Sequence, residues 1–185
     1  MGREFELKYR ADKAQLEEIA AVYGPFREIA METTYYDAPS GVFSRLHWTL
    51  RRRLENGVSV VTLKTPLPDG SRGEWETRAP SLAEGLSALK AQGAPVPEAE
   101  GLTEICAARF TRLSRMLPIP DGRAELALDR GVLRGTREEA PLLELELELK
   151  EGPDEALTAF AREFAGKYGL SEEPQSKFAR ASRLR

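Results

Sequence analysis

The sequence predicts an α+β protein built on an eight-stranded antiparallel β-barrel with a charged lumen and helices packed outside. Three observations carry this expectation. Several strand-like segments alternate charged with apolar residues. Acidic and basic segments follow one another along the chain, and short turn signals join neighbours as antiparallel connections require. Alternate residues of a β-strand share a face, so each such segment has one apolar face and one charged face.

Residues 3–10 read as the first strand, with Glu4, Glu6 and Lys8 at every second position. Asp12 suits the cap of a helix through Leu16, Ile19, Ala20 and Tyr23, stopped by Gly24-Pro25. A strand over Thr33–Asp37 ends in the turn Ala38-Pro39-Ser40-Gly41. Trp48–Leu54 and Val58–Lys64 are two strands joined at Asn56-Gly57, a strong hairpin signal. A loop over 66–70 leads to a strand over Arg72–Arg78, then a helix over 82–92 and a loop over 94–101. Leu102–Ala108 reads as a short helix with Cys106 on one face, before strands over Phe110–Leu117 and Ala124–Leu133 and a turn at Pro120-Asp121-Gly122. Leu142–Lys150 is a long strand. Leu157, Phe160, Ala161, Phe164 and Tyr168 recur at helical spacing, with Gly169 as a stop. The basic tail from Ser176 is a last strand or helix.

The 185 residues suffice for one sizeable core, and without a low-complexity segment or linker, 1–185 reads as a single domain. Hydrophobic residues make up 41% and charged residues 31%, the balance of a soluble globular protein. A net charge of -3 argues against a nucleic-acid binder. One cysteine excludes an internal disulfide framework and a cysteine zinc site. No apolar stretch follows the first Met, so neither a signal peptide nor a membrane span is expected, and the expected location is cytoplasmic. The oligomeric expectation is a monomer or homodimer.

For any one strand, a solvated charged face is the plainer account. The set argues otherwise. Arg51 and Arg53 share a face, Lys64 ends the next strand, and Arg72, Glu74 and Glu76 alternate on the one after. Arg123, Glu125 and Asp129 share a face, as do Glu144, Glu146, Glu148 and Lys150 between Leu145, Leu147 and Leu149. Barrel closure would bring acidic and basic faces together inside. Carboxylates select hard cations such as Mg²⁺, Mn²⁺ or Ca²⁺, and clustered Arg and Lys suit phosphate oxygens. The ligand class that unites them is a polyanion with several phosphates, bridged by metal to the carboxylates.

Glu4-Phe5-Glu6-Leu7-Lys8 is similar to the E-x-E-x-K signature of the CYTH superfamily, the triphosphate tunnel metalloenzymes. Further segments resemble the family's motifs in order: Thr34–Asp37, Leu50–Arg53, Thr62–Lys64, Arg72–Glu76, Phe110–Arg112, Glu125–Asp129, Leu143–Leu149 and Ser176-Lys177. The resemblance covers most of the chain and is nearest to the bacterial inorganic triphosphatases. One departure is that Thr111 and Ser114 stand where Lys or another polar group often accompanies the Arg112 motif; Arg109 or Arg115 could substitute.

The resemblance implies an eight-stranded tunnel that binds triphosphate with one or two divalent cations, Mg²⁺ or Mn²⁺. It implies metal ligation by Glu6, Glu144 and Glu146, with Glu4 and Asp129. It implies phosphate binding by Lys8, Arg51, Arg53, Lys64, Arg112 and Lys177, with Lys8 and Arg53 also counted as catalytic. Glu74 and Glu76 are the other catalytic candidates: they could position water, bind a second metal or balance arginines. His47 and Cys106 fit packing roles better than catalytic ones. The expected activity is metal-dependent hydrolysis of the terminal phosphate of tripolyphosphate. Rivals are a thiamine triphosphatase, an adenylate cyclase, and a non-catalytic binder of polyphosphate or nucleotide.

Overall fold

The computed structural model describes residues 2–184. All its strands belong to one antiparallel sheet, whose order is β1 (Gly2–Glu4), β6 (Arg72–Arg78), β5 (Val58–Pro66), β4 (Thr49–Glu55), β3 (Arg27–Asp37), β7 (Thr103–Ile119), β8 (Gly122–Arg134), β9 (Glu139–Glu151), β2 (Glu6–Arg10) and β10 (Ser171–Glu172). The N-terminal segment joins the two sides of this sheet. Gly2–Glu4 pair with Glu74–Arg72, whereas Glu6–Arg10 pair with Glu148–Glu144. Phe5, at the change of partner, accepts from the Leu149 amide at 2.9 Å. The expected strand over 3–10 is therefore one stave that serves two neighbours. This split, together with the two-residue β10, turns the expected eight strands into ten.

Local chemistry accounts for the element ends. Helix α1 (Lys13–Tyr23) starts at a reciprocal cap: Asp12 Oδ1 accepts from the Gln15 amide and Gln15 Oε1 accepts from the Asp12 amide, each at 2.8 Å. Asn56 and Gly57 have φ of 49° and 85°, the left-handed pair that a two-residue hairpin turn requires. Helix α3 (Leu82–Ala91) is capped by the Ser81 hydroxyl. Helix α4 (Asp154–Tyr168) ends at Gly169, whose φ of 63° suits glycine.

Two expectations are corrected. Leu102–Ala108 is not helical: Thr103–Ile119 is one strand of 17 residues, paired with β3 along Arg27–Asp37 and with β8. The strand expected over Thr33–Asp37 is thus longer, and its extra backbone supplies the partner that overrides a short apolar run of ambiguous period. Cys106 consequently lies on a buried strand position. A short helix, α2 (Val42–Arg45), follows the turn after β3 and was not expected. The basic tail resolves as helix α5 (Lys177–Ala181).

Helices α1 and α4 cover the outer faces of β2, β8 and β9, where Leu126, Leu145, Leu147 and Leu157 are fully buried. Each contributes roughly 2 kcal/mol through apolar surface removed from water. Helix α3 covers β5 and β6, with Leu63, Val61 and Leu89 fully buried. Gly85 lets this helix sit close, since a β-carbon there would lie 2.4 Å from Val61 Cγ2. With the leucines outward, the interleaved charged residues are left facing inward.

Candidate active site

The inward faces enclose a cavity of about 380 Å³. Period two selects its lining: Glu4 on β1, Glu6 and Lys8 on β2, Arg51 and Arg53 on β4, Lys64 on β5, Glu74 and Glu76 on β6, Arg112 on β7 and Glu146 on β9. Lys177 reaches in from α5, beside Ser176 and Phe178. Of the residues singled out in the sequence, Asp129 and Glu144 do not line the cavity. Both share the strand face of Arg112 and Glu146 but are fully buried under Lys177 and do not border the open space.

One end of the cavity is an ionic knot. The register sets Arg112, Asp129 and Glu144 in one row across β7, β8 and β9. Arg112 donates through Nε and Nη2 to the two oxygens of Asp129, at 2.8 and 2.7 Å, and also to Glu146. Such a fork is the strong, planar form of an arginine–carboxylate pair. The Lys177 ammonium lies 2.8 Å from Asp129, 2.5 Å from Glu144 and 2.6 Å from Glu146. Oxygens of these three carboxylates lie within 4.8 Å of one another, a spacing that could hold a metal ion, and Lys177 contacts all three. Burial pushes the Glu144 carboxyl up to about 7, against the pull of Lys177. Burial also opposes ionisation of Glu146, but Lys177 and Arg112 outweigh it and hold that carboxyl well below the usual range. Burial disfavours the Lys177 ammonium, yet Asp129, Glu146 and Glu144 raise it above the ordinary lysine value.

Arg51 and Arg53 lie side by side with incomplete partners. The nearest lumen carboxylate to Arg51 is Glu74, at 3.7 Å; Arg53 pairs with Glu55 and lies 3.8 Å from Glu76. The Nε groups of both are buried without a hydrogen-bond partner among the described residues. Burial, then the neighbouring Arg51, lowers the Arg53 guanidinium below its ordinary value. A guanidinium pair short of anions is an anion site in waiting. Arg52, between them, points outward to Ser59 and the Pro80 carbonyl.

Elsewhere in the lumen Lys64 pairs with Glu4 and, at 3.4 Å, with Glu74; Lys8 donates to Glu6 at 3.2 Å. Further along β7 to β9, Ser114 donates to Glu125 at 2.6 Å, while Lys150 lies 3.1 Å from Glu125 and 2.6 Å from Glu148. Burial raises Glu148 despite Lys150. Glu125 is lowered, because Ser114 and Lys150 together outweigh its burial.

Glu125, Glu148, Lys150, Arg27, Glu55 and Arg72 line the cavity but were not chosen as site residues from the sequence. Glu148 and Lys150 continue the Glu144–Glu146 alternation, and Glu55 continues Arg51–Arg53, so the same period could have found them. The expected substitutes for a second basic group at Arg112 do not enter. Arg109 and Arg115 have the opposite strand parity and are absent from the lining; Arg115 donates outside to the Tyr23 carbonyl. One stretch of wall is apolar, made by Ile29 and Met31 of β3, Phe110 of β7 and Phe178 of α5.

The cavity-facing carboxylates Glu4, Glu6, Glu146 and Glu148 offer oxygen donors of the kind a hard divalent ion takes, and among the described residues the carboxylates spaced to share one ion are Asp129, Glu144 and Glu146. No described helix is long and apolar enough to cross a membrane.

Fold and lumen together define a tunnel protein, an antiparallel barrel with a mixed-charge interior. The chain belongs to the CYTH domain family, whose model matches residues 2–182. Solved structures share the fold. A Hippeastrum protein, described as a candidate adenylyl cyclase with a dominant triphosphatase activity, is 17% identical with a TM-score of 0.72, over 97% of this chain and 95% of that one. A protein described as a candidate adenylate cyclase from Bacillus halodurans is 20% identical, with a TM-score of 0.65 over 95% of this chain and 96% of its own. A Pyrococcus horikoshii protein is 20% identical, with a TM-score of 0.66 over the same shares.

Proposed function

We propose that this protein is a divalent-metal-dependent triphosphatase that hydrolyses the terminal phosphoanhydride of tripolyphosphate. The observation that carries the reading is the Arg51–Arg53 pair, buried in a carboxylate-lined lumen with both Nε groups unpartnered among the described residues. In this reading Arg51, Arg53, Lys8, Lys64, Arg112 and Lys177 bind and orient the phosphates. Glu4, Glu6 and Glu146, joined by Glu148, hold Mg²⁺ or Mn²⁺, which supplies charge neutralisation at the phosphate oxygens. Asp129 and Glu144, also expected as ligands, pair with Lys177 and Arg112 and lie with Glu146 in a group close enough to hold an ion.

Little covalent work falls to the protein in phosphoryl transfer to water, so positioning and electrostatics carry the rate. Glu76 has a partly exposed side chain and one hydrogen bond, from Thr62 Oγ1 at 3.2 Å, which suits orienting an attacking water. Glu74 lies between Lys64 and Arg51; they outweigh its burial and hold it ionised as their counter-charge. Lys8 and Arg53 would stabilise charge on the transferring group.

The apolar wall of Ile29, Met31, Phe110 and Phe178 favours a second reading, in which the triphosphate carries an organic group, as in thiamine triphosphate or ATP. A panel of tripolyphosphate, thiamine triphosphate, ATP and long-chain polyphosphate, each with Mg²⁺, Mn²⁺ and a chelator, tests both. Orthophosphate and pyrophosphate from tripolyphosphate, lost with the chelator, is the expected result. Faster turnover of an organic triphosphate moves the assignment to the second reading. Binding without turnover of any substrate leaves a non-catalytic polyanion binder.

A further inference from the structure

Arg180 does not line the cavity, yet it is bound into the ionic knot at its end. It sits on α5 three residues after Lys177, on the same side of the helix. Its guanidinium donates to one oxygen of Glu144, while Lys177 donates to the other. Glu144 is thus held between a cation that faces the lumen and one that does not. The knot contains three carboxylates, Asp129, Glu144 and Glu146, and three cations, Arg112, Lys177 and Arg180. Without Arg180, three buried carboxylates would face two cations at the place where a polyanion must arrive.

We infer that Arg180 is a positioning residue for polyanion binding: by neutralising Glu144 from outside the cavity, it leaves the Lys177 ammonium free to engage a phosphate. The inference rests on the reading above, in which Lys177 meets phosphate. In a low-dielectric setting a surplus carboxylate both repels the incoming anion and holds Lys177 more tightly. Fastening the helix does not depend on Arg180 alone. The Thr136 amide donates to the Leu184 carbonyl at 3.0 Å, Ala181 is fully buried, and Phe178 packs on Tyr35 with ring centroids 5.3 Å apart. Glu173, 3.5 Å from Arg180, has its own partners in Arg10 and the Gln175 amide.

The test is tripolyphosphate binding by calorimetry in EDTA at mildly alkaline pH, with thermal unfolding of each variant. Arg180→Ala is expected to weaken binding about tenfold, and Glu144→Gln placed in the same chain to restore it to within about threefold. Glu144→Gln alone, which leaves the knot with a surplus cation, is expected to bind no more weakly than the unaltered protein. Should Arg180→Ala fail to fold, this single variant and Arg180→Lys, which keeps the charge and the binding, still decide the matter. A folded Arg180→Ala that binds normally, or one that Glu144→Gln does not rescue, overturns the inference. So does Glu144→Gln alone binding more weakly. Normal binding by Lys177→Ala overturns instead the phosphate role of Lys177 on which the inference stands.

Discussion

Lys64 of β5 donates to both carboxylate oxygens of Glu4 of β1, at 2.5 Å each, past the intervening β6 and 60 positions along the chain. Both side chains are about nine-tenths buried, so each neutralises the other before any ligand arrives. Lys64→Ala should therefore cost about 2 kcal/mol of stability by leaving Glu4 buried without its partner. Adding Glu4→Gln should recover most of that stability but none of the lost tripolyphosphate turnover. Chemical denaturation and phosphate release on the same samples separate the two effects. Recovery of both together would make the pair purely structural.

Glu6 differs from Glu4 in having, among the described residues, a single, looser partner, Lys8 at 3.2 Å. Its loss should hurt function more than fold. Glu6→Gln and Glu146→Gln are expected to lower Mg²⁺-dependent turnover about a hundredfold or more. The midpoint of thermal unfolding of Glu6→Gln should stay near that of the unaltered protein. Calorimetric titration with Mn²⁺ adds a readout independent of turnover, and unchanged Mn²⁺ affinity in both variants would remove these carboxylates from the metal site.

Arg51 and Arg53 are buried with unpartnered Nε groups, a costly arrangement that an anionic ligand would relieve. Arg51→Ala should raise the KM for tripolyphosphate about tenfold with little loss of stability. Arg51→Lys should recover only part of this, since a lysine lacks the planar fork. Steady-state kinetics with a melting curve checks both, and a collapse of the fold with normal KM in the remaining folded fraction would contradict the ligand role.

The lumen's composition was legible because period two is a strong local signal: Glu4, Glu6 and Lys8, or Arg51 and Arg53, must share a face in any strand. Depth was not legible. The spacing of Glu144, Glu146 and Glu148 says they face one way, but only α5, whose Lys177 and Arg180 take the two oxygens of Glu144, buries that residue and leaves Glu148 open to the lumen. Barrel closure at Phe5 was equally hidden, because it depends on two partner strands far along the sequence. The run Ile105-Cys106-Ala107-Ala108 is too short and too small to reveal its period, and the long β3 decides its state. Arg180 gave no signal, since its meaning lies in the partner that α5 brings to it.

The strand that identifies Cys106 as core also predicts its chemistry. Burial pushes the thiol up to about 12, with Glu104 adding to the effect. The thiolate is the reactive form, so alkylation of the native protein should be very slow near neutral pH. Mass spectrometry after iodoacetamide treatment should find Cys106 unmodified in the folded protein and modified in urea. Rapid native labelling would mean that the β3–β7 pairing opens readily.

Asp37 closes β3 and supports everything up to β4. One of its oxygens accepts from the Ala38 and Phe43 amides, at 2.8 and 3.1 Å, and the other from the Ser44 amide and hydroxyl, at 3.0 and 2.6 Å. Four donors on one carboxylate explain why the segment after the Pro39–Gly41 turn coils into α2, although Gly41 offers no side-chain cap. Asp37→Ala should cost about 2 kcal/mol or more, because buried amides lose their acceptor. Burial alone would raise this carboxyl, but Ser44 and the backbone amides of Ser44, Phe43 and Ala38 outweigh it and hold it below the ordinary aspartate value. The folded state therefore binds this proton less readily than the unfolded chain. Its contribution is full above the unfolded value, roughly pH 4, and is lost as pH falls through the folded one. Asp37→Asn keeps an acceptor without the charge, so its stability deficit against the unaltered protein should shrink as pH falls below about 4. Urea unfolding across that range checks the slope, and a deficit that stays constant with pH would mean that Asp37 acts as a neutral acceptor only.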